Sequence, residues 1–252
     1  MIDLPTVLLF SLAAFVVASL VTMTGFGLST SLTPLFALVY RTHIAVMLVA
    51  VVHFLNNVFR LGLFRQHVDL GLVRRFGILS IFGALVGSLA QGLVQSDWLK
   101  VALGVVLIVL GGIELLPGGA GWRFPRRFDQ LGGLLSGLLG GLLGNQGAIR
   151  SAYLVNYDIP KERFIATATL IAVLIDSTRI PIYLLTQWGE IAAAWPLLAS
   201  VTLCAYVGTY VGKRLVGRVS QKAFKRLVNV AVVALGLLMI IQGGVACSGT
   251  SS

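Results

Sequence analysis

The chain has 252 residues, of which 57% are hydrophobic and only 11% are charged, and its mean hydropathy is +0.94. Soluble domains carry about a quarter charged residues, so this composition excludes a soluble protein and predicts one membrane domain surrounded by lipid. Nineteen basic residues contribute to a net charge of +10, but most of them fall in short loops between apolar segments. That distribution excludes a nucleic-acid-binding protein.

The first half of the chain predicts a helix that ends in a glycine-rich break, a short helix and three long helices. They run over residues 4–23, 28–39, 43–64, 72–95 and 98–116. The first helix lacks a basic leader and a cleavage site, so we expect it to be retained. The 28–39 segment is too short to span about 30 Å of hydrocarbon at about 1.5 Å per residue, and we expect a re-entrant hairpin there.

The second half repeats this pattern. Its predicted helices run over residues 129–143, 148–157, 164–184, 194–212 and 223–243. Three segments align in order: TGFG at 24–27 with GNQG at 144–147, ALVGS at 84–88 with AYVGT at 205–209, and VVLIVLG at 105–111 with VAVVALG at 230–236. The alignment predicts a membrane repeat over 1–116, a cytoplasmic linker over 117–127, a second repeat over 128–243 and a tail over 244–252.

Three full crossings in each repeat predict that the second repeat enters the membrane upside down relative to the first. The loops 64–75, 117–127, 158–163 and 212–226 hold fourteen of the nineteen basic residues. By the positive-inside rule these loops are cytoplasmic, and both termini lie on the other side of a bacterial-type inner membrane. A hairpin whose two helices both cross the membrane keeps its ends on one side, just as a re-entrant hairpin does. The positions of the basic loops therefore fit both versions of the hairpin.

Residues at the two glycine-rich breaks are the first candidates for a substrate site. Unwound backbone at membrane depth is tolerated only where protein or a water-filled cavity supplies hydrogen bonds, and helix N-termini there attract anions. The candidates are Gly25, Gly27, Ser29, Thr30, Ser31, Asn145, Gln146, Gly147, Arg150 and Ser151. Close helix packing is the alternative explanation for the glycines.

Three arginines lie within predicted helical segments, where a charge is costly and usually functional. Arg150 follows the second break by three positions, with little room to reach the interface, and is the sharpest single candidate for an anion ligand. Arg60 and Arg179 each lie about one turn from a predicted helix end. Each of these two therefore lines the site or extends to the interface.

Two titratable residues are candidates for coupling transport to protons. Asp176 lies near the interior of a predicted crossing with Arg179 at i+3, which fits a structural ion pair or a proton-coupling carboxylate. His53 lies in the middle of a helix and either relays protons or bonds across helices.

Neutral polar residues complete the candidate set. Asn56, Asn57 and Ser177 occupy repeat-equivalent levels and are either substrate ligands or interhelical hydrogen-bonding groups. The sequence contains no metal-ligand cluster, no Walker loop and no Ser/His/Asp set at usable depth. It therefore predicts no cofactor, no metal and no enzymatic activity.

The two glycine-rich segments, LVTMTGFGLSTSLTPL and GGLLSGLLGGLLGNQGAIRSAYL, resemble those of the sulfite exporter TauE/SafE family, and the likeness extends over residues 5–243. Thr24 and Phe26 depart from the more glycine-rich pattern of that family. The resemblance implies export or exchange of sulfite, sulfonates or related organosulfur anions.

Taken together, these features predict a secondary transporter that binds a small anion between the two breaks and moves it by alternating access of the two halves. The expected partners are the anionic substrate, the lipid bilayer and coupled protons. A passive anion channel is the alternative, since the same charged lining would serve it without an occluded state. A membrane-embedded enzyme is a weaker rival.

Overall fold

The computed structural model describes residues 4–90, 126–143, 147–155 and 157–249, with the positions 101, 104–105, 107–109, 112 and 115. Nearly all of these residues are helical, and none of them lies in a β-strand. The candidates Asn145 and Gln146 and most of the linker predicted at 117–127 fall outside the described residues.

Nine helices are assigned in the four continuous described stretches. They are α1 Leu4–Thr24, α2 Leu28–Phe36, α3 Thr42–Phe64, α4 Leu70–Ala90, α5 Asp129–Leu143, α6 Gly147–Val155, α7 Lys161–Ala193, α8 Trp195–Val216 and α9 Gln221–Gly249. Six of them, α1, α3, α4, α7, α8 and α9, include stretches long and apolar enough to cross a membrane. The prediction of an all-helical, polytopic membrane protein is therefore confirmed.

The helix boundaries differ from the predicted ones mainly in α7. This helix continues past Pro181 to Ala193, nine residues beyond the predicted end at 184. A proline removes one backbone donor, but in a packed membrane helix neighbouring groups can satisfy the freed carbonyl, so the helix need not end there.

Glycine conformation ends α1 and turns the chain back. Gly25 and Gly27 have φ values of +81° and +115°, in the left-handed region that favours glycine. The rings of Phe10 and Phe36 lie 4.9 Å apart, so α2 runs back along α1. With 21 residues α1 is long enough to cross the membrane, whereas α2 has nine and is not.

The two predicted repeats are packed together through glycines. A Cβ on Gly87 of α4 would lie 2.2 Å from the carbonyl oxygen of Leu138 on α5, and a Cβ on Gly208 of α8 would lie 2.2 Å from that of Phe15 on α1. Gly87 and Gly208 are equivalent positions in the aligned ALVGS and AYVGT segments. The first helix of each repeat thus lies in backbone contact with a later helix of the other repeat.

The basic loops meet at one end of the molecule, which we call the basic end and define by residues 65–75, 126–130, 158–163 and 217–226. Lys161 donates to the carbonyl of Val219, and Lys225 Nζ lies 2.5 Å from Asp158 Oδ1. Loop-to-loop contact of this kind groups the predicted cytoplasmic loops together. Which side of the membrane they face stays a prediction.

Helix directions bear on the predicted inversion. Helices α1 and α8 are parallel, because Ser11 bonds Ser200 and, further along both, Ser19 approaches Gly212. Since α8 ends at the basic end, α1 runs toward it, whereas α5 begins there with Asp129. The first helices of the two repeats therefore run in opposite senses. Inverted topology stays a prediction, which these directions support.

We predict that Gly137→Ala destabilises the protein, because its Cβ would lie 1.9 Å from the carbonyl oxygen of Ser80 and would push α4 away from α5. The expected loss is at least about 1–3 kcal/mol of unfolding free energy, measured as a lower melting temperature in detergent. Gly62→Ala is the matched control, because no atom lies within 4 Å of its Cβ. That variant should melt at the wild-type temperature or slightly above it.

Candidate functional site

Five buried ionisable side chains from α3, α6 and α7 form what we call the charge cluster. They are His53, Arg60, Arg150, Asp176 and Arg179, and each is at most 5% exposed. Arg60 and Arg179 therefore do not extend to the interface, and their role in a substrate site stays a prediction. Each of these side chains is enclosed by protein, where a charge is costly.

Helical spacing places these residues together. His53, Asn57 and Arg60 follow one another at i, i+4 and i+7 on one face of α3. Asp176 and Arg179 are separated by three residues on α7, which packs along α3. Two polar faces therefore meet between the third helices of the two repeats.

Asp176 is the anion of the cluster. Its Oδ2 lies 2.7 Å from His53 Nδ1, and its Oδ1 lies 2.9 Å from Arg179 Nε and 2.8 Å from Arg179 Nη2. Arg179 Nη1 also donates to the carbonyl of Gly140 at 3.2 Å. This geometry fits the structural ion pair and joins α3, α5 and α7 through one carboxylate.

A hydrogen-bonded chain continues from Asp176 to Arg60. Because a carboxylate can only accept, the hydrogen of neutral His53 lies on Nδ1. Asn57 Nδ2 lies 3.1 Å from both ring nitrogens, of which only Nε2 can then accept. Asn57 Oδ1 accepts from Arg60 Nη2 at 2.5 Å. His53 and Asn57 thus connect the paired arginine on α7 to Arg60 on α3.

Arg60 and Arg150 lack protein partners for much of their guanidinium groups. In both, Nε and Nη1 are buried with no hydrogen-bond partner among the described residues. Arg150 repels Arg60 and is attracted toward Asp176, so the three groups lie within electrostatic reach of one another. With His53 neutral, three guanidinium charges face one carboxylate, an excess of two positive charges in the described cluster.

The two breaks touch beside this cluster. A Cβ on Gly147, the first residue of α6, would lie 2.8 Å from Phe26 Cβ and 3.7 Å from Arg150 Nη2. The Arg150 side chain therefore folds back over the N-terminus of its own helix, where free backbone N–H groups lie. A Cβ added to Gly25 would lie 2.6 Å from the ring of Phe164, so there is no room for a side chain at this position.

The remaining candidates divide between buried and exposed positions. Ser29 and Ser151 are buried, and Ser151 Oγ has no partner in the described part of the chain. Ser31 is exposed on α2. Ser177 is exposed on α7 and bonds only its own helix, at Val173 O, so the structure does not bring it to the cluster.

Asn56 also lies apart from the chain that leads to Arg60. It is buried and accepts from Thr209 Oγ1 at 2.8 Å, which bonds α3 to α8. The buried Tyr183 was missed by sequence reasoning, although it interacts with Arg179 one turn further along α7. The spacing of Asp176, Arg179 and Tyr183 at i, i+3 and i+7 was the signal that could have found it.

No group of three or more His, Cys, Asp or Glu residues suited to a metal ion occurs among the residues that the structure describes.

Comparison with known proteins gives one match. The family model described as Sulfite exporter TauE/SafE matches residues 10–239, a range that contains both breaks and the whole charge cluster. No curated protein and no solved structure reaches a significant match.

We predict that Asp176→Asn lowers the free energy of unfolding by about 3–5 kcal/mol, because it leaves Arg179 as an uncompensated buried charge. The double variant Asp176→Asn/Arg179→Gln should recover part of that loss, which a melting curve of purified protein would measure. Ser177→Ala, one residue away on the exposed face, serves as the control and should melt like the wild type. Equal melting temperatures for Asp176→Asn and Ser177→Ala would contradict the structural ion pair.

Proposed function

We infer that this chain, which belongs to the sulfite exporter TauE/SafE family, is a membrane transporter and not an enzyme. Membership implies a membrane exporter of sulfite or a related anion. Within that class, we propose that the chain is a secondary transporter that binds sulfite or a sulfonate between Arg60 and Arg150, beside the two glycine-rich breaks. Alternating access of the two repeats moves the anion across the membrane.

The observation that carries this proposal is a pair of buried guanidinium groups, in each of which Nε and Nη1 have no partner among the described residues. Removing a charge from water costs several kcal/mol even after relaxation, and an unpaired buried donor adds about 1–3 kcal/mol. Arg60 and Arg150 each leave two nitrogens unpaired within the described structure, and the two groups lie within electrostatic reach of each other. An anion placed between them supplies both a negative charge and the acceptors that the described residues do not.

The chemistry of these groups favours an oxyanion. A guanidinium presents a rigid fork of N–H donors that matches two oxygens of one anion, which a lysine ammonium does not. Sulfite and sulfonates carry three oxygens in a pyramid, so two forks can each contact a different pair. A carboxylate offers only two oxygens and satisfies one fork.

Backbone groups add to the site. Arg150 lies in the first turn of α6, whose N-terminal N–H groups and dipole favour an anion at the same place. A symmetrical contribution comes from the N-terminus of α2 after Gly27, since Phe26 touches Gly147. The two breaks therefore lie in contact, which supports a single shared site.

The position of the two arginines suggests how binding is linked to movement. Arg60 belongs to the first repeat and Arg150 to the second, and without an anion their charges repel each other. A bound anion replaces that repulsion with attraction and draws the repeats together. The ligand thus favours one arrangement of the repeats by its differential contacts.

His53 provides a route for proton coupling. Protonation of His53 places a hydrogen on Nε2. This hydrogen then faces the amide hydrogens of Asn57, so that two donors point at each other and no hydrogen bond forms. Asn57 must rotate its amide and turn its oxygen toward His53, which breaks its bond to Arg60. A proton on His53 therefore frees Arg60 for the anion and adds one positive charge to the cluster.

We predict that Arg150→Ala and Arg60→Ala each lose most of the stabilisation that sulfite gives the wild type, because each removes one of the two forks. Arg150→Lys keeps the charge and should retain weaker binding. The measurement is the shift in melting temperature with increasing sulfite, sulfate, methanesulfonate and acetate. Arg218→Ala, an exposed arginine at the basic end, is the control and should respond like the wild type.

Two outcomes would decide against the site or the mechanism. Full anion-induced stabilisation of Arg150→Ala would show that Arg150 is not a ligand. Flux into proteoliposomes that neither saturates nor shows counterflow would favour a passive channel over a carrier.

We further predict that methanesulfonate, whose charge is constant over this range, stabilises the wild type more strongly at pH 5.5 than at pH 8 (on the order of tenfold in apparent affinity). The reason is that protonated His53 releases Arg60 at the lower pH. His53→Gln should show the same affinity at both pH values. A pH dependence that survives in His53→Gln would place the titrating group elsewhere.

A further inference from the structure

A second cationic site lies at the basic end, apart from the charge cluster. A cavity of about 450 Å³ is lined by Arg75, Arg126, Arg127, Asp129 and Gln130. Three guanidinium groups and one carboxylate leave an excess of two positive charges around it. The lining comes from the starts of α4 and α5 and the residues just before α5, whereas Arg60 lies on α3 and Arg150 lies near the N-terminus of α6.

Aromatic rings hold two of these arginines in place. The guanidinium carbon of Arg126 lies 6.0 Å from the ring centre of Tyr157, and that of Arg127 lies 5.0 Å from the ring centre of Phe128. Such contacts orient a guanidinium and leave its N–H edge free for an anion. The arginines that line the cavity therefore present N–H donors to a phosphate or a similar anionic group.

The surface that continues from this cavity is apolar. Helices α4 and α5 run in parallel away from the basic end, since Gly133 approaches Phe76 and Gly137 approaches Ser80. Their outer faces expose Ile78, Phe82, Leu131 and Leu135, between 41% and 61% of each residue. A ligand whose charged group fills the cavity would thus extend any attached chains along an apolar surface.

Asp129 points to a further property of the ligand. It is 3% exposed, its Oδ2 accepts from the Tyr157 hydroxyl, and its Oδ1 has no partner among the described residues. Burial and the bond to Asp129 raise the pKa of Tyr157, so the tyrosine remains a donor and does not compete as an acceptor. The free carboxylate oxygen needs a donor, such as a hydroxyl of the ligand.

We propose that this cavity binds an anionic phospholipid whose headgroup carries hydroxyl groups, of the phosphatidylglycerol type. Its phosphate contacts the three arginines, a headgroup hydroxyl donates to Asp129 Oδ1, and its acyl chains lie on the apolar faces of α4 and α5. A soluble phosphoester would satisfy the arginines but would leave the adjoining apolar surface uncovered. Basic pockets beside membrane helices suit lipid headgroups for the same reasons.

The test uses full-length protein, purified and stripped of lipid in a neutral detergent. The shift in melting temperature is titrated with dioleoyl phosphatidylglycerol, and dioleoyl phosphatidylcholine and glycerol phosphate are titrated in parallel. The cavity variant is Arg126→Gln/Arg127→Gln. The control variant is Arg65→Gln/Arg218→Gln, which removes the same charge from exposed positions of the basic end that do not line the cavity.

We expect phosphatidylglycerol to stabilise the wild type and the control at similar concentrations. The cavity variant should need an about 25-fold higher phosphatidylglycerol concentration for the same shift, because each arginine contributes about fivefold in affinity. Arg75→Gln should need about fivefold more, which keeps the test available if the double variant does not fold. Asp129→Asn should reduce the preference for phosphatidylglycerol over phosphatidic acid, which lacks the hydroxyls.

Three results would overturn the proposal. An equal loss in the control variant would mean general attraction to the basic end. Equal stabilisation by phosphatidylcholine would mean that the arginines are not involved. Stabilisation by glycerol phosphate that is lost in the cavity variant would assign the cavity to soluble anions.

Discussion

The rest of the site depends on the positive charge of Arg60 and Arg150, whose Nε and Nη1 groups have no partner among the described residues. Both side chains are about 1% exposed in a protein whose outer surface is apolar. A charge in such surroundings is tolerated when it is paired, hydrated or neutralised. Asp176 cannot neutralise all three arginines, because Arg179 and His53 already occupy both of its oxygens. The proposed anion would supply the negative charge that Asp176 cannot give to Arg60 and Arg150.

The helix breaks explain why this arrangement can exist inside a membrane. A continuous helix would have its backbone N–H groups bonded internally and could offer none of them to a ligand. Gly25 and Gly27 allow the left-handed turn that ends α1 and starts α2, and Gly147 allows α6 to begin against Phe26. Glycines at the α4/α5 and α1/α8 contacts then hold these hairpins against the rest of the molecule at backbone distance. Small residues thus act in two ways, at the site and in the packing that supports it.

Much of the architecture was accessible from the sequence. The apolar segments predicted the helices, and the bounds predicted for α5, 129–143, coincide with those observed. The burial of Arg150 and Asp176 followed from their distance to any loop. Other features depend on tertiary contacts between distant segments. The bond from His53 to Asp176 joins residues 123 positions apart, and the bond from Thr209 to Asn56 joins residues 153 positions apart. Ser177 shows the limit of repeat alignment, because the alignment gives its depth but not the rotation of α7 that turns it outward.

Diffraction at the selenium edge from crystals grown with selenite, a heavier analogue of sulfite, tests the central claim most directly. If an anion completes the charge cluster, one anomalous peak should lie within hydrogen-bond distance of the guanidinium groups of both Arg60 and Arg150. A peak elsewhere, or no peak while both arginines bond protein groups, would contradict the account.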